Sequence, residues 1–246
     1  ITSITDPRGF STSYTYDEKG NRLTTIDALS GVTAITYDTL NNPLTVTDAR
    51  SAETVYTYDN AGNRLTEQDP LGNTSQFHYL TSPGYEGLLE ASVDTRGNAT
   101  SYTYNTNGDL ILVTNALGNT TSYIYDNAGR KLSETNARGF TTHFTYDNHD
   151  RPLTITDALG GITTTTYDAV GNKISQTDAN GNTTTFTYSA RDKLITEVNP
   201  AGYVTTYAYD AAENLVSITD GNGNTTSYTY DANNRKITET NALGQT

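Results

Sequence analysis

The stretch Asn119-Thr120-Thr121-Ser122-Tyr123-Ile124-Tyr125 alternates, with Thr121, Tyr123 and Tyr125 on one side. A period of two over this length predicts a strand with one ring-bearing face. The same face recurs as Thr54, Tyr56, Tyr58, as Thr100, Tyr102, Tyr104, as Thr205, Tyr207, Tyr209 and as Thr226, Tyr228, Tyr230. Phe77, Phe144 and Phe186 replace the first ring in three places, and Ile35 and Thr165 in two more. Seven residues after the second tyrosine comes an aliphatic residue, Leu23, Leu44, Leu65, Ile111, Leu132, Leu153, Ile174, Ile195, Val216 or Ile237, which marks a second strand.

The second tyrosines are Tyr16, Tyr37, Tyr58, Tyr79, Tyr104, Tyr125, Tyr146, Tyr167, Tyr188, Tyr209 and Tyr230, each 21 residues after the last except for one step of 25. A fixed period of this size means that each unit is one supersecondary element that must stack on its neighbours to bury its apolar face. The links between strands share one turn chemistry. An Asp or Asn is followed three residues later by Gly, as at Asp69 and Gly72, Asn115 and Gly118, Asp157 and Gly160, and again after the tyrosine at Asp59 and Gly62 and at Asp126 and Gly129. The Asx side chain caps the turn and Gly takes the left-handed conformation that closes it. Asn41, Asp150, Asp192 and Asn234 stand where that Gly is missing, and tolerate the conformation best after it. In the links that follow the tyrosine, Glu213 alone departs from the rule.

A hairpin that sets the second tyrosine opposite the aliphatic residue seven places on sets the first opposite the ninth place. That place is Val46, Val113, Ile155 or Ile218 in some units and Glu67, Glu134, Glu197 or Glu239 in others, so the ring face is expected to be mixed and partly wet. The other face reads Thr24, Thr66, Ser133, Thr154, Ser175 and Thr238, a solvated surface of good strand formers. If the ring face packs, Tyr125→Ala should cost about 3 kcal/mol; if it faces solvent, the change should stay within about 0.5 kcal/mol.

The fold class implied is all-β, an antiparallel β-hairpin repeat array of about 11 to 12 repeats spanning residues 1–246 as one continuous segment. Some two dozen strands exceed what an open twisted sheet usually carries before it curls. At about 4.8 Å per strand the ribbon would be on the order of 110 Å wide. It is therefore expected to coil into a spiral shell or hollow tube, since a packed barrel is already full at about eight strands.

Composition adjusts this picture in a few places. Leu, Ile, Val and Phe make up less than one-fifth of the chain, a level associated with disorder in acidic proteins, but 19 regularly placed tyrosines supply burial instead. A net charge of −13 argues against nucleic-acid binding, and no apolar run approaches a membrane span, so no membrane insertion is expected. With no Cys, disulfides and thiolate chemistry are excluded. There is no Met, and the chain opens and closes partway through a repeat, so it reads as a piece of a longer protein.

Tyr58-Asp59-Asn60-Ala61-Gly62-Asn63-Arg64-Leu65, with Asp-x-x-Gly-Asn-x-Thr in between, resembles the RHS or YD repeat of bacterial Rhs polymorphic toxins, the C component of insecticidal toxin complexes, bacterial wall-associated proteins and animal teneurins. The resemblance covers the whole chain. It implies a β-hairpin spiral that encloses a C-terminal toxin domain in the bacterial toxins and forms an extracellular scaffold in teneurins, in either case secreted or at the cell surface, here of bacterial type. The Rhs cage ends in an Asp-Pro-x-Gly-Leu signature with a self-cleaving aspartyl site. Asp69-Pro70-Leu71-Gly72 runs on into Asn73 and is an ordinary repeat turn, so no plug, cleavage site or toxin domain is assigned.

No other motif implies chemistry. The Asp residues sit at turns without EF-hand or RTX spacing, so no metal is expected, and neither is a cofactor. His78, His143 and His149 are isolated in sequence, and Gly221-Asn222-Gly223 lacks the following Gly and helix of a nucleotide loop. Asn73, Asn98, Asn119, Asn182 and Asn224 begin Asn-x-Ser/Thr triplets that matter only in a eukaryotic secretory pathway. One irregularity, Leu80 to Leu89, lengthens a turn by four residues and carries Tyr85, Leu88 and Leu89 as contact candidates.

The function read from the sequence is a non-catalytic structural shell or scaffold segment. Its partners are neighbouring repeats, other copies of itself, or an enclosed toxin domain. An extracellular filament built end to end through free strand edges at Ile1 to Thr5 and near Gln245, and a carbohydrate-binding adhesion surface using tyrosine rows, are the alternatives.

Overall fold

A computed structural model describes residues 2–6 and 8–246; the part of the edge expectation that falls on Ile1 lies outside them. The described residues form 23 strands and no helix. None is therefore a helix long and apolar enough to cross a membrane.

The chain divides into two compact units, residues 1–123 and 124–246. In the first, antiparallel strands from Ser3–Thr5 onward pair each with the next, as Glu53–Tyr58 pairs with Arg64–Gln68 and Arg64–Gln68 with Thr74–Tyr79. In the second, the same meander runs from Lys131–Thr135 to Lys236–Thr240. A six-residue strand ending at the second tyrosine alternates with a five-residue strand throughout.

The register differs from the sequence expectation at one place in ten of the tyrosine hairpins. Tyr56 lies opposite Glu67 and Thr57 opposite Thr66, but Tyr58 lies opposite Arg64, six places on, and Leu65 has no partner. A bulge sits there, two residues against one. The same shift occurs at Tyr16, Tyr37, Tyr79, Tyr104, Tyr146, Tyr167, Tyr188, Tyr209 and Tyr230. Period-two counting carries straight through a bulge and so misplaces every residue on one side of it by one.

Both kinds of link are built alike. In the turn after Tyr58, Asp59 N–H donates to the Asn63 carbonyl and Gly62 N–H to the Asp59 carbonyl, at 2.9 and 3.1 Å. Asp59 Oδ1 accepts Ala61 N–H and Asn63 N–H, and Oδ2 accepts the Asn63 side-chain amide at 2.8 Å. Gly62, Gly72, Gly118, Gly129 and Gly160 all have φ between 77° and 88°, a region other L-residues enter only at a cost. Ser30 and Ser51 share it at 65° and 64°, in links where the expected Gly is absent.

Among the described residues there is no buried hydrophobic side chain, and only Ser133 is buried at all. The accessible surface is 15909 Å². A globular monomer of this mass would expose roughly 10,700 Å². Each unit is one layer of sheet, solvated on both sides.

Candidate functional site: the tyrosine face and the inserted turn

At least six second tyrosines turn their hydroxyls back across the preceding hairpin. Tyr37, Tyr104, Tyr146, Tyr167, Tyr188 and Tyr230 donate to the carbonyls of Arg22, Leu89, Lys131, Pro152, Lys173 and Leu215, each 15 residues earlier, at 2.8 to 3.0 Å. Arg22, Leu89, Pro152, Lys173 and Leu215 each stand opposite the previous second tyrosine, at the register shift. A carbonyl has two lone pairs, and the side chain takes the one the ladder leaves open. Each such ring is half-buried and ties one repeat to the next. Burial raises the phenols of Tyr58, Tyr104, Tyr188 and Tyr207 above the ordinary tyrosine range, with Glu197 adding to the effect at Tyr207. The hydroxyls of Tyr58, Tyr79 and Tyr209 make no such bond. Tyr125, singled out by the sequence, is likewise half-buried.

The bulge also explains the mixed chemistry of this face. In a regular strand, residues i and i+3 point to opposite sides. Across the bulge they meet: Arg64 bonds Glu67 at 2.8 Å, Lys131 bonds Glu134 at 2.6 Å, Lys236 bonds Glu239 at 2.8 Å, and Lys173 reaches Gln176 at 3.0 Å. The same cations cover rings, Arg64 lying 4.7 Å from the centre of Phe77, Lys131 4.8 Å from Phe144 and Lys173 4.5 Å from Phe186. Where the sixth place is Pro43, Leu110, Pro152 or Leu215, the ninth is Val46, Val113, Ile155 or Ile218. Leu194 with Glu197 departs from this, the Glu197 carboxylate accepting the Tyr207 hydroxyl at 3.4 Å instead. The pairings were present in the sequence, but only the bulge shows that the two places touch.

On the opposite face hydroxyls pair across many of the hairpins, as Thr57 with Thr66 at 2.6 Å and Thr145 with Thr154 at 2.7 Å. At the tyrosine-side turns the residues that replace Gly do more than tolerate positive φ. Asn41, Asp192 and Asn234 accept the side-chain amides of Asn21, Asn172 and Asn214 at 2.9 Å, and Asp150 accepts Arg130 at the same distance. Each thereby links its turn to the one before it. Glu213, at φ 68°, instead pairs with Lys193 at 3.1 Å and Arg191 at 3.4 Å.

The inserted turn, Leu80 to Leu88, departs from all of this. It folds on itself through Leu80 N–H to the Leu88 carbonyl at 2.8 Å and Tyr85 N–H to the Ser82 carbonyl at 3.0 Å. On one side lies a cleft of about 770 Å³ bordered by Leu65, Phe77, Tyr79, Glu86 and Glu90, among others. On the other is a cleft of about 350 Å³ with Tyr85, Tyr102, Tyr104 and again Glu90. Glu90 is the bulge residue of its hairpin, passed over between Leu89 and Ala91. It occupies the place held by Leu, Ile or Val in ten other repeats, a substitution readable in the sequence and overlooked there. Among the described residues, no group of His, Cys, Asp or Glu is placed to hold a metal ion.

A family model for the teneurin YD-shell matches residues 1–182, and the RHS repeat model matches residues 167–202, 188–225 and 209–246. No curated protein matches the chain. Among solved structures, a crystal structure of TcdB2-TccC3-TEV is 20% identical with a TM-score of 0.70, over 93% of this chain and 14% of that one. The Photorhabdus luminescens Tc holotoxin pore is 18% identical with a TM-score of 0.54, over 96% of this chain and 16% of that one. The chain thus spans only 14% and 16% of these two chains, and at these identities the likeness is one of fold. With the hairpin meander, the tyrosine ties and the family match in hand, the chain belongs to the RHS/YD-repeat family.

Proposed function

We propose that the chain is a non-catalytic wall segment of an extracellular repeat shell, and that it acts by separating an enclosed polypeptide from solvent. The observation that carries this reading is the single layer: in each unit the strands, with no buried hydrophobic residue among those described, suit a partition better than a globular body. The tyrosine hydroxyls and the Asn-to-Asn links between turns suit a wall, because they tie hairpin to hairpin without needing a dry interior. The uninterrupted 21-residue rhythm through Tyr104, Tyr125 and Tyr146 supports treating residues 1–246 as one stretch of the array.

The test is protease protection in the full-length protein. Removing two whole repeats, residues 141–182, keeps the strand register and shortens the wall. Cleavage of the non-repeat polypeptide should then speed up by about tenfold or more, since proteolysis follows the population of the open form. Cleavage at the original rate would reject enclosure.

A further inference from the structure

The repeat that carries the four-residue insertion also breaks the pattern in one further way, and the two departures meet at one place. Its bulge residue is Glu90 instead of an aliphatic residue. The inserted turn opens a cleft on either side of itself, and Glu90 borders both. Glu90 is exposed and has no ion-pair or hydrogen-bond partner among the described residues, whereas on the tyrosine face Glu67, Glu134 and Glu239 are each neutralised by Arg or Lys and Glu197 accepts the Tyr207 hydroxyl.

We propose that the inserted turn is a recognition site for basic side chains of a peptide segment, with Glu90 as the central carboxylate. In one cleft Tyr85, Tyr102 and Tyr104 surround it. In the other stand Phe77, Tyr79 and Glu86, of which Glu86 spends one oxygen on Gly84 N–H at 2.7 Å and keeps the other. A carboxylate among ring faces suits an ammonium or guanidinium group, which gains from the charge and from the rings together. The protein already uses this chemistry on the same face, where its own Arg64 lies over Phe77 and ion-pairs with Glu67. Two clefts sharing one carboxylate fit two basic side chains on one extended segment better than a lone small cation. A net charge of −13 favours the approach of such a segment. The site stands whether or not the chain encloses a cargo.

The experiment uses the full chain at near-physiological salt with three labelled hexapeptides, rich in lysine and arginine, in serine, and in glutamate. Saturable binding is expected for the basic peptide alone. Glu90→Leu should weaken it about tenfold or more while leaving the melting temperature no lower, because an aliphatic residue is native at this place in other repeats. Tyr85→Ala should weaken it about threefold or more. Glu18→Gln, at an exposed carboxylate far along the chain, should change it less than about twofold. The proposal fails if Glu90→Leu binds as the unchanged protein does, if Glu18→Gln is equally weakened, or if the three peptides bind alike.

Discussion

The hydroxyl of Tyr146 reaches the Lys131 carbonyl at 2.8 Å, whereas that of Tyr209 makes no such bond, although both rings occupy the same place in the repeat. Tyr146→Phe should therefore cost about 1 kcal/mol in urea unfolding, and Tyr209→Phe should stay within about 0.5 kcal/mol. Equal losses would show that the ring alone matters. The turn aspartates act at the same scale. The Asn63 amide, helped by backbone N–H groups, holds the Asp59 carboxyl below its ordinary range, and Asp17, Asp69, Asp178, Asp210 and Asp220 are lowered through the corresponding Asn. A group lowered in the folded state stabilises above its unfolded value and loses that contribution as pH falls through the folded one. The melting temperature should hold steady above about pH 4 and drop progressively below it. Asn in place of several of these Asp should flatten the drop, because an uncharged cap such as Asn115 or Asn136 still accepts the same N–H groups. An unchanged acid profile would rule out the caps as its source.

At the scale of the element, the turn is where propensity and packing separate. Gly160 has φ 85° and open space where a side chain would begin, so Gly160→Ala should cost about 1–2 kcal/mol from backbone strain alone. Gly161 has no such backbone constraint, yet a Cβ there would stand 2.6 Å from Asp157 Oδ2 and 2.9 Å from the Ala179 Cβ. Gly161→Ala should be the worse of the two in thermal unfolding, because it displaces the capping carboxylate and presses on the next turn. The reverse order would mean that the turn relaxes freely. The Asp-to-Gly spacing pointed to Gly160 from the sequence. Nothing in it marked Gly161, whose constraint comes from the capping carboxylate of its own turn and from Ala179 one repeat further on.

For the molecule as a whole, the absence of a dry interior sets the thermodynamics. Globular proteins gain roughly 12–15 cal/mol/K per residue in heat capacity on unfolding, mostly from apolar surface newly wetted. With 15909 Å² already exposed, calorimetry should return a value per residue below that range. A value inside it would mean that the sheet faces are covered in solution. The third place of the links between repeats alternates Arg8, Leu29, Arg50, Leu71, Arg96, Leu117 in the first unit and Arg138, Leu159 in the second, and then gives way to Asn180, Ala201 and Asn222. These leucines are 85% to 92% exposed, so Leu159→Ser should change stability by no more than about 0.5 kcal/mol.

Strand, turn and repeat were legible in the sequence because each rests on local chemistry: alternation of Thr and Tyr, an Asx side chain three residues before Gly, and a period of 21. Tyr56 opposite Glu67 followed from counting alone. The bulge did not, because inserting Leu65 opposite no partner leaves the composition unchanged while shifting Tyr58 onto Arg64. From that single shift follow the meeting of Arg64 with Glu67 and the placing of Glu90 between two clefts. The reach of Tyr104 to a carbonyl 15 residues back was equally hidden. These contacts join residues through the pairing of neighbouring hairpins, and only the folded register decides which side chains share a face.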